Sequence, residues 1–217
     1  MAKSGSFSDE EFNDAYNELD NPQLDTFELF VEVDEIKIYR RYNESSGLYE
    51  YKVTGYLNIN TDLCFEVYMD LDYRKSWDSY VKELYSTTAD DQSVIYWNVN
   101  FPFPMSNRDY TYIREMKKFN EDGDRRAYVV LARSHKLEAL PPKSKVIRVD
   151  DYKQYLIGQR VDDTKTKLFM YYFDNPGGSI PTWLINWAAK KGVPNFLSDM
   201  QKACDKYAEY QKKTMSS

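Results

Sequence analysis

Residues 48–57, LYEYKVTGYL, show the pattern that decides the fold class. Apolar and polar side chains alternate along them, with Tyr49, Tyr51 and Val53 set against Glu50, Lys52 and Thr54. Because successive side chains of a strand point to opposite faces, the alternation predicts one apolar face and one face in water. Such strands are typical of antiparallel sheets, whereas strands of parallel sheets are apolar throughout. We therefore expect an antiparallel sheet on which Glu50 and Lys52 are exposed.

Neighbouring segments extend this sheet in both directions. Strand patterns precede it at 28–33 and 36–42 and follow it at 93–101, 108–117, 126–134, 145–159 and 166–174. Ser8 and Glu11 have the spacing of a capping box, which predicts a short helix that ends before Pro22. Apolar residues spaced by three and four between Phe65 and Leu84 predict two further short helices.

The last segment, residues 180–207, predicts a long helix, because its apolar side chains also recur at intervals of three and four. Gly192 and Pro194 are expected to interrupt this helix. The element order is then a helix, three strands, two helices, about five strands and a long terminal helix. It predicts an α+β fold in which the terminal helix packs on a curved antiparallel sheet.

Length and charge limit the class of protein. No Pro-rich or Gly/Ser-rich linker divides the 217 residues, so we expect one domain over 1–217 with its core at about 6–210. A net charge of −6 argues against a general nucleic-acid binder, which places Lys and Arg against phosphates. Residues 181–217 nevertheless carry six Lys against three acids, and a basic C-terminus suits an anionic membrane surface.

The two cysteines, Cys64 and Cys204, lack the spacing of a disulfide framework or a zinc site. The sequence also has no apolar leader segment and no run of 18 apolar residues. These features predict a cytoplasmic protein.

No segment has the pattern of a catalytic centre. His135 is the single histidine, and neither a Gly-x-Ser-x-Gly segment nor a phosphate-binding glycine loop is present. Acid pairs such as Asp150 and Asp151 are typical of solvated turns in an acidic protein. We therefore expect a binding protein that is not an enzyme and that uses no cofactor and no metal.

One short segment, residues 68–78 (YMDLDYRKSWD), predicts a ligand site. Arg74 and Asp78 are four residues apart, so on a helix they share a face and can form an ion pair. If neighbouring aromatic residues bury that face, the guanidinium needs more oxygen partners than one carboxylate offers. A phosphodiester would bind the spare donors through two parallel hydrogen bonds. An ordinary surface salt bridge is the alternative.

Three aromatic residues on predicted strands suggest what lies beside that phosphate. Trp97, Tyr110 and Tyr152 each occupy a strand face, and taken singly each is typical of a core. If they converge, they form an aromatic cage, which binds quaternary ammonium groups through cation–π attraction. A phosphate clamp beside such a cage would recognise phosphocholine.

At these residues the chain resembles the StAR-related lipid-transfer (START) family, in particular its members that carry phosphatidylcholine. The resemblance also rests on residues 47–53 (GLYEYKV), 101–110 (FPFPMSNRDY) and 169–197. It implies a helix-grip fold, in which the sheet and the C-terminal helix enclose a hydrophobic tunnel for one phospholipid. It further implies that Tyr68 and Gln154 help Arg74 to hold the phosphate.

The resemblance implies a cytosolic carrier that takes phosphatidylcholine from one membrane and releases it to another. A sealed tunnel then requires a gate. We expect the terminal helix to be this gate, together with Gly177-Gly178 in the segment that leads into it. The side chains expected to contact membranes are Trp183, Trp187, Lys190 and Lys191. The alternatives are a phosphatidylcholine sensor that regulates a partner such as an acyl-CoA thioesterase, a lipid hydrolase, and a sterol or ceramide carrier.

Overall fold

Ten strands form one sheet in a computed structural model, which describes residues 7–89, 92–178 and 180–215. The strands are β1 (Glu28–Val33), β2 (Ile36–Asn43), β3 (Leu48–Leu57), β4 (Val81–Ala89), β5 (Gln92–Val99), β6 (Asn107–Phe119), β7 (Ala127–Ser134), β8 (Val146–Val149), β9 (Tyr152–Arg160) and β10 (Thr166–Asp174). Their order is β1-β2-β3-β10-β9-β7-β6-β5-β4, and these neighbours pair antiparallel. Only β8, which pairs with β6, runs parallel to its neighbour among the described strands. The α+β prediction is confirmed.

The helices lie before, between and after the strands. They are α1 (Asp9–Asn17), α2 (Thr61–Met69), α3 (Leu71–Trp77), α4 (Thr182–Trp187) and α5 (Val193–Met215), and a π-helical turn, Ala188–Gly192, joins the last two. The predicted capping box of α1 is present, since the Ser8 hydroxyl accepts from the Glu11 amide and the Glu11 carboxylate accepts from the Ser8 amide. No helix in the described ranges is long and apolar enough to cross a membrane.

Two boundary predictions are wrong. The helical pattern was expected to run to Leu84, but the chain leaves α3 at Asp78 and Leu84 lies in β4, opposite Trp97 of β5. The apolar spacing around Leu84 fits a helix locally, and the long-range pairing with β5 overrides it. The single strand expected at 145–159 is two strands, separated at Asp150 and Asp151. This division and the additional strand β4 together give seven strands after α3, where the sequence predicts about five.

The prediction that Glu50 and Lys52 face water is also wrong, because both are buried. Helix α1 and the turn that follows it cover this face of the sheet with Phe12, Ala15 and Leu19, which belong to a cluster with residues of β7, β9 and β10. Lys52 donates to both carboxylate oxygens of Glu18, at 2.9 and 2.8 Å, and to a backbone carbonyl. The polar face of β3 is therefore paired beneath the N-terminal segment.

On the opposite face, α5 packs over α2 and α3. Tyr207 and Cys204 of α5 lie in the largest apolar cluster together with Phe65 of α2. The Tyr73 hydroxyl donates to the Ala203 carbonyl at 2.8 Å. The Tyr207 hydroxyl donates in turn to the carboxylate of Asp70, the N-cap of α3, at 3.0 Å. These contacts fix α3 between the sheet and the terminal helix, which positions Arg74.

Candidate functional site

Helix α3 presents Arg74 and Asp78 as a buried ion pair. The Asp70 side chain caps the helix by accepting from the Tyr73 amide at 2.8 Å, and Asp78 ends it four residues after Arg74. Arg74 Nε donates to Asp78 Oδ2 at 2.8 Å, with the two side chains only 8% and 1% exposed. The alternative interpretation from the sequence, an ordinary surface salt bridge, is therefore wrong.

The Arg74 guanidinium keeps unused hydrogen-bonding capacity. Burial is the largest influence on its pKa and would lower it, but attraction to Asp78, Tyr112 and Tyr68 together with the Asp78 hydrogen bond raises the pKa above the usual arginine value. An arginine has five N–H donors, and only the one on Nε is paired with another residue in the described part of the chain. The Trp97 ring lies 4.9 Å and the Phe196 ring 5.3 Å from the guanidinium carbon. The two Nη groups can therefore bind the oxygens of an anionic ligand.

The three aromatic residues expected to form a cage are neighbours. Trp97 of β5 lies directly opposite Tyr110 of β6, and their ring centroids are 5.1 Å apart. The Tyr152 ring meets the Tyr110 ring edge-on at 5.4 Å. Tyr112 and Tyr172 extend this cluster, at 5.4 and 5.9 Å from Tyr152. Burial raises the pKa values of Tyr110, Tyr152 and Tyr172 well above that of a free tyrosine, so their hydroxyls stay protonated.

Tyr68 and Gln154 connect the cluster to α2. The Gln154 carbonyl accepts from the hydroxyls of Tyr68, at 3.3 Å, and of Tyr152. The Gln154 amide nitrogen donates to the Met170 sulfur at 3.3 Å, a weak interaction that a better acceptor would replace. All seven residues predicted from the sequence, Tyr68, Arg74, Asp78, Trp97, Tyr110, Tyr152 and Gln154, thus belong to one contiguous set of contacts.

Asp174, which the sequence reasoning missed, also contacts the cluster. Its Oδ2 accepts from the Tyr110 hydroxyl at 2.7 Å and from the Tyr172 hydroxyl at 3.0 Å. Burial raises the pKa of this carboxyl, and the two tyrosine hydrogen bonds oppose the rise. A signal was available in the sequence, because Asp174 ends an aromatic strand, LFMYYFD, at 168–174.

The site therefore combines a buried cation that has free donors with a group of aromatic faces. Such an arrangement has the chemistry to bind an anion and a cation side by side. A family model described as the START domain matches residues 23–210. The chain belongs to the START family. The curved antiparallel sheet and the C-terminal helix expected from the sequence resemblance are thereby confirmed.

Curated START relatives match along nearly the whole chain. The phosphatidylcholine transfer protein of Mus musculus is 55% identical over 204 residues, which cover 93% of this chain and 95% of the mouse protein. The phosphatidylcholine transfer protein of Homo sapiens is 52% identical over 207 residues, covering 94% and 96%.

Solved START structures agree on the fold. The crystal structure of human STARD10 has a TM-score of 0.81 at 21% identity, and covers 97% of this chain and 85% of that protein. The human StAR-related lipid transfer protein 5 has a TM-score of 0.75 at 16% identity, and covers 92% and 95%. At these identities the likeness concerns the fold alone.

The residues predicted to contact membranes lie at the start of the terminal helix of this START domain. Trp183 in α4 is 48% exposed, and Lys190 and Lys191 in the π-helical turn are exposed. The side chain of Trp187 lies outside the described residues. Gly177, before α4, has a positive φ of 62°, a conformation that glycine adopts without strain. The membrane role of these residues stays a prediction.

Phe103, which we did not single out from the sequence, is 94% exposed in the β5–β6 loop. Buried Arg108 ties this loop to the approach of α4: its guanidinium donates to the carbonyls of Ser106 at 2.6 Å, Pro176 at 3.0 Å and Gly177 at 3.2 Å. Exposed Phe103 and exposed Trp183 thus belong to segments that Arg108 connects.

Proposed function

We propose that this protein is a carrier that binds one phosphatidylcholine and transfers it between membranes. Its relatives of more than 50% identity are named phosphatidylcholine transfer proteins, and the START domain matches most of the chain. We infer one lipid-binding domain over the chain, because a single sheet and the helices packed on it contain the described elements.

The observation that carries the proposal is the buried Arg74 with its free Nη donors beside the Trp97 ring. A phosphodiester oxygen pair satisfies a guanidinium fork with two parallel hydrogen bonds. A trimethylammonium group follows the phosphate by two carbons in phosphatidylcholine, and Trp97, Tyr110 and Tyr152 offer it aromatic faces. Tyr68 and Gln154, which are hydrogen-bonded to each other in the protein alone, would turn further donors toward the phosphate.

The acyl chains would occupy the space between the sheet and α5. Each methylene that leaves water contributes about 0.8 kcal/mol, so two chains require an enclosed apolar surround. The inner residues of the sheet and α5 are apolar, as Val53, Leu156 and Met200 illustrate. The closed tunnel is part of the proposal.

Release and loading require contact with a bilayer, for which we propose the segment around α4. Exposed Trp183, together with Trp187, would enter the interfacial region, where tryptophan is favoured. Lys190 and Lys191 would approach lipid phosphates, and exposed Phe103 adds a second insertion point. The Gly177-Gly178 approach would act as the hinge of the gate.

The remaining parts of the proposal concern the setting of the carrier. We place it in the cytoplasm, because Cys64 and Cys204 are free thiols. We propose no catalytic activity, cofactor or metal, since the ligand itself supplies the charged partners of the site. A regulatory partner such as an acyl-CoA thioesterase would make the same binding site a sensor, and it would dock outside the lipid site.

Native mass spectrometry of the purified protein tests the proposal. After incubation with vesicles of mixed headgroups, we expect a single bound phospholipid with a phosphocholine headgroup. Vesicle-to-vesicle transfer of labelled phosphatidylcholine should then be faster with the protein than without it. Binding without transfer would favour the sensor, release of fatty acid or lysolipid would favour an enzyme, and an absence of bound phosphatidylcholine would refute the carrier.

A further inference from the structure

Asp174 places a carboxylate directly behind the aromatic cluster. The residue ends β10 and pairs in register with Tyr152 of β9, so its backbone is fixed beside the proposed ammonium site. One carboxylate oxygen accepts two hydrogen bonds, from the Tyr110 hydroxyl at 2.7 Å and from the Tyr172 hydroxyl at 3.0 Å. Both of these tyrosine rings belong to the cluster around Tyr152.

No basic side chain forms an ion pair with Asp174 in the ranges that the structure describes. Arg108 attracts it at a distance, but the Arg108 guanidinium donates to the carbonyls of Ser106, Pro176 and Gly177. Asp174 is half-buried, and a partly desolvated carboxylate that lacks a cation is destabilising for the protein alone, because loss of solvation disfavours the charge. Such a group is typical of a site whose counter-charge arrives with the ligand.

We propose that Asp174 is a positioning residue that makes the site selective for a cationic headgroup. The inference rests on the proposed function and deepens it. Arg74 would face the phosphate at one end of the headgroup, and Asp174 would compensate the ammonium at the other end. It acts through Tyr110 and Tyr172, since phenols that donate to a carboxylate are polarised and present more negative ring faces to a cation.

Selectivity follows from this division of charge. A headgroup with the phosphate alone, such as phosphatidylglycerol, gains the Arg74 contact but leaves Asp174 uncompensated. A quaternary ammonium compensates the charge and needs no hydrogen-bond acceptor, and the hydroxyls of Tyr110 and Tyr172 already donate to Asp174.

The experiment separates the charge of the headgroup from its shape. Phosphatidylcholine is compared with an isostere in which carbon replaces the ammonium nitrogen, so that a 3,3-dimethylbutyl group without positive charge follows the same anionic phosphate. Both lipids are offered in equal amounts in vesicles, and native mass spectrometry gives their ratio on the protein. For Asp174→Asn, which keeps an acceptor and the shape, we expect the ratio of phosphatidylcholine to isostere to fall about tenfold from wild type.

Two further variants control for structure. Asp174→Glu keeps the charge and should retain more of the wild-type ratio than Asp174→Asn does. Asp122→Asn makes the same chemical change at an exposed position in the β6–β7 turn and should leave the ratio unchanged. We also expect Asp174→Asn to melt at no lower a temperature than wild type, because it removes a desolvated charge.

An unchanged ratio in a folded Asp174→Asn variant would overturn the inference, while the carrier proposal would survive. If Asp174→Asn does not fold, Tyr172→Phe decides, because it removes one donor to the carboxylate and keeps the ring. We then expect the ratio to fall about threefold, and an unchanged ratio overturns the inference. A wild type that binds neither lipid would overturn the proposed function, and this inference with it.

Discussion

Replacing Arg74 tests the proposed site most directly, but the single substitution Arg74→Gln has two effects. It removes the proposed phosphate ligand, and it leaves Asp78, whose side chain is 1% exposed, as an unpaired buried carboxylate. Breaking a buried pair by removing one partner costs about 3–5 kcal/mol. For a chain of this size that corresponds to a fall of about 6–20 °C in the melting temperature. Weaker lipid binding by this variant alone could therefore reflect a damaged fold.

The double variant Arg74→Gln/Asp78→Asn separates the two effects. It removes both charges and leaves two amides that can bond to each other, so we expect it to recover most of the lost stability. It should not recover lipid binding. Two charge-assisted hydrogen bonds to phosphate contribute about 1.5–3 kcal/mol each, which predicts at least a hundredfold weaker binding of phosphatidylcholine.

The assay is thermal unfolding together with titration of the protein with phosphatidylcholine vesicles. Lys75→Gln is the matched control, because it removes a cation from the same helix. Its partner is Asp72, and the two side chains are 44% and 79% exposed, so we expect a change of about 0–1 kcal/mol in stability and normal lipid binding. Phosphatidylcholine binding by the double variant within about threefold of wild type would refute the phosphate role of Arg74.

Three further outcomes are expected. Trp97→Ala should keep the fold and weaken phosphatidylcholine extraction from vesicles by about 2- to 30-fold, because it removes one cation–π contact. Equal extraction by the variant and the wild type would contradict this. Replacing Trp183 and Trp187 together with Ala should slow vesicle docking, measured by stopped-flow light scattering, more than it lowers equilibrium lipid occupancy, and equal effects on both would argue against a gate. Burial raises the pKa of Cys204 to about 12 and also raises the pKa of Cys64, so both thiols should resist iodoacetamide at mildly alkaline pH until the protein unfolds. Rapid alkylation of the native protein, measured by mass spectrometry, would contradict this and show that α5 opens.

Local patterns in the sequence predict much of the fold. The bounds of β1 and β3 follow from alternation and turn residues, and the capping box places the start of α1. Leu84 shows where local reasoning stops, because its helical spacing yields to pairing with Trp97, a contact between distant residues. Lys52 shows a second limit, since the sequence does not reveal that Glu18 covers it.

The candidate site is likewise predictable where it depends on local sequence and not where it depends on contacts between distant residues. The spacing of Arg74 and Asp78 predicts their ion pair, which is local, and the family resemblance adds Gln154. Asp174 is absent from the prediction, because its importance depends on hydroxyls from Tyr110 and Tyr172, and Tyr110 lies 64 residues away in the chain. Single aspartates at strand ends are too common to suggest a role without their neighbours.

The π-helical turn Ala188–Gly192 determines where the terminal helix tolerates the loss of a residue, whatever amino acids form the turn. A π turn accommodates one additional residue within an α-helical path, because each of its residues rotates the chain about the axis by less than the roughly 100° of an α-helical residue. Deleting one residue from this turn would restore uninterrupted α geometry and leave the upstream residues on nearly the same faces relative to Met200 and Tyr207. A deletion between Val193 and Met200, in regular α geometry, would instead rotate everything upstream by about 100°, so that Trp183 would leave its exposed position and buried Leu184 would turn outward. The π turn should consequently tolerate a one-residue deletion far better than the first turns of α5 do.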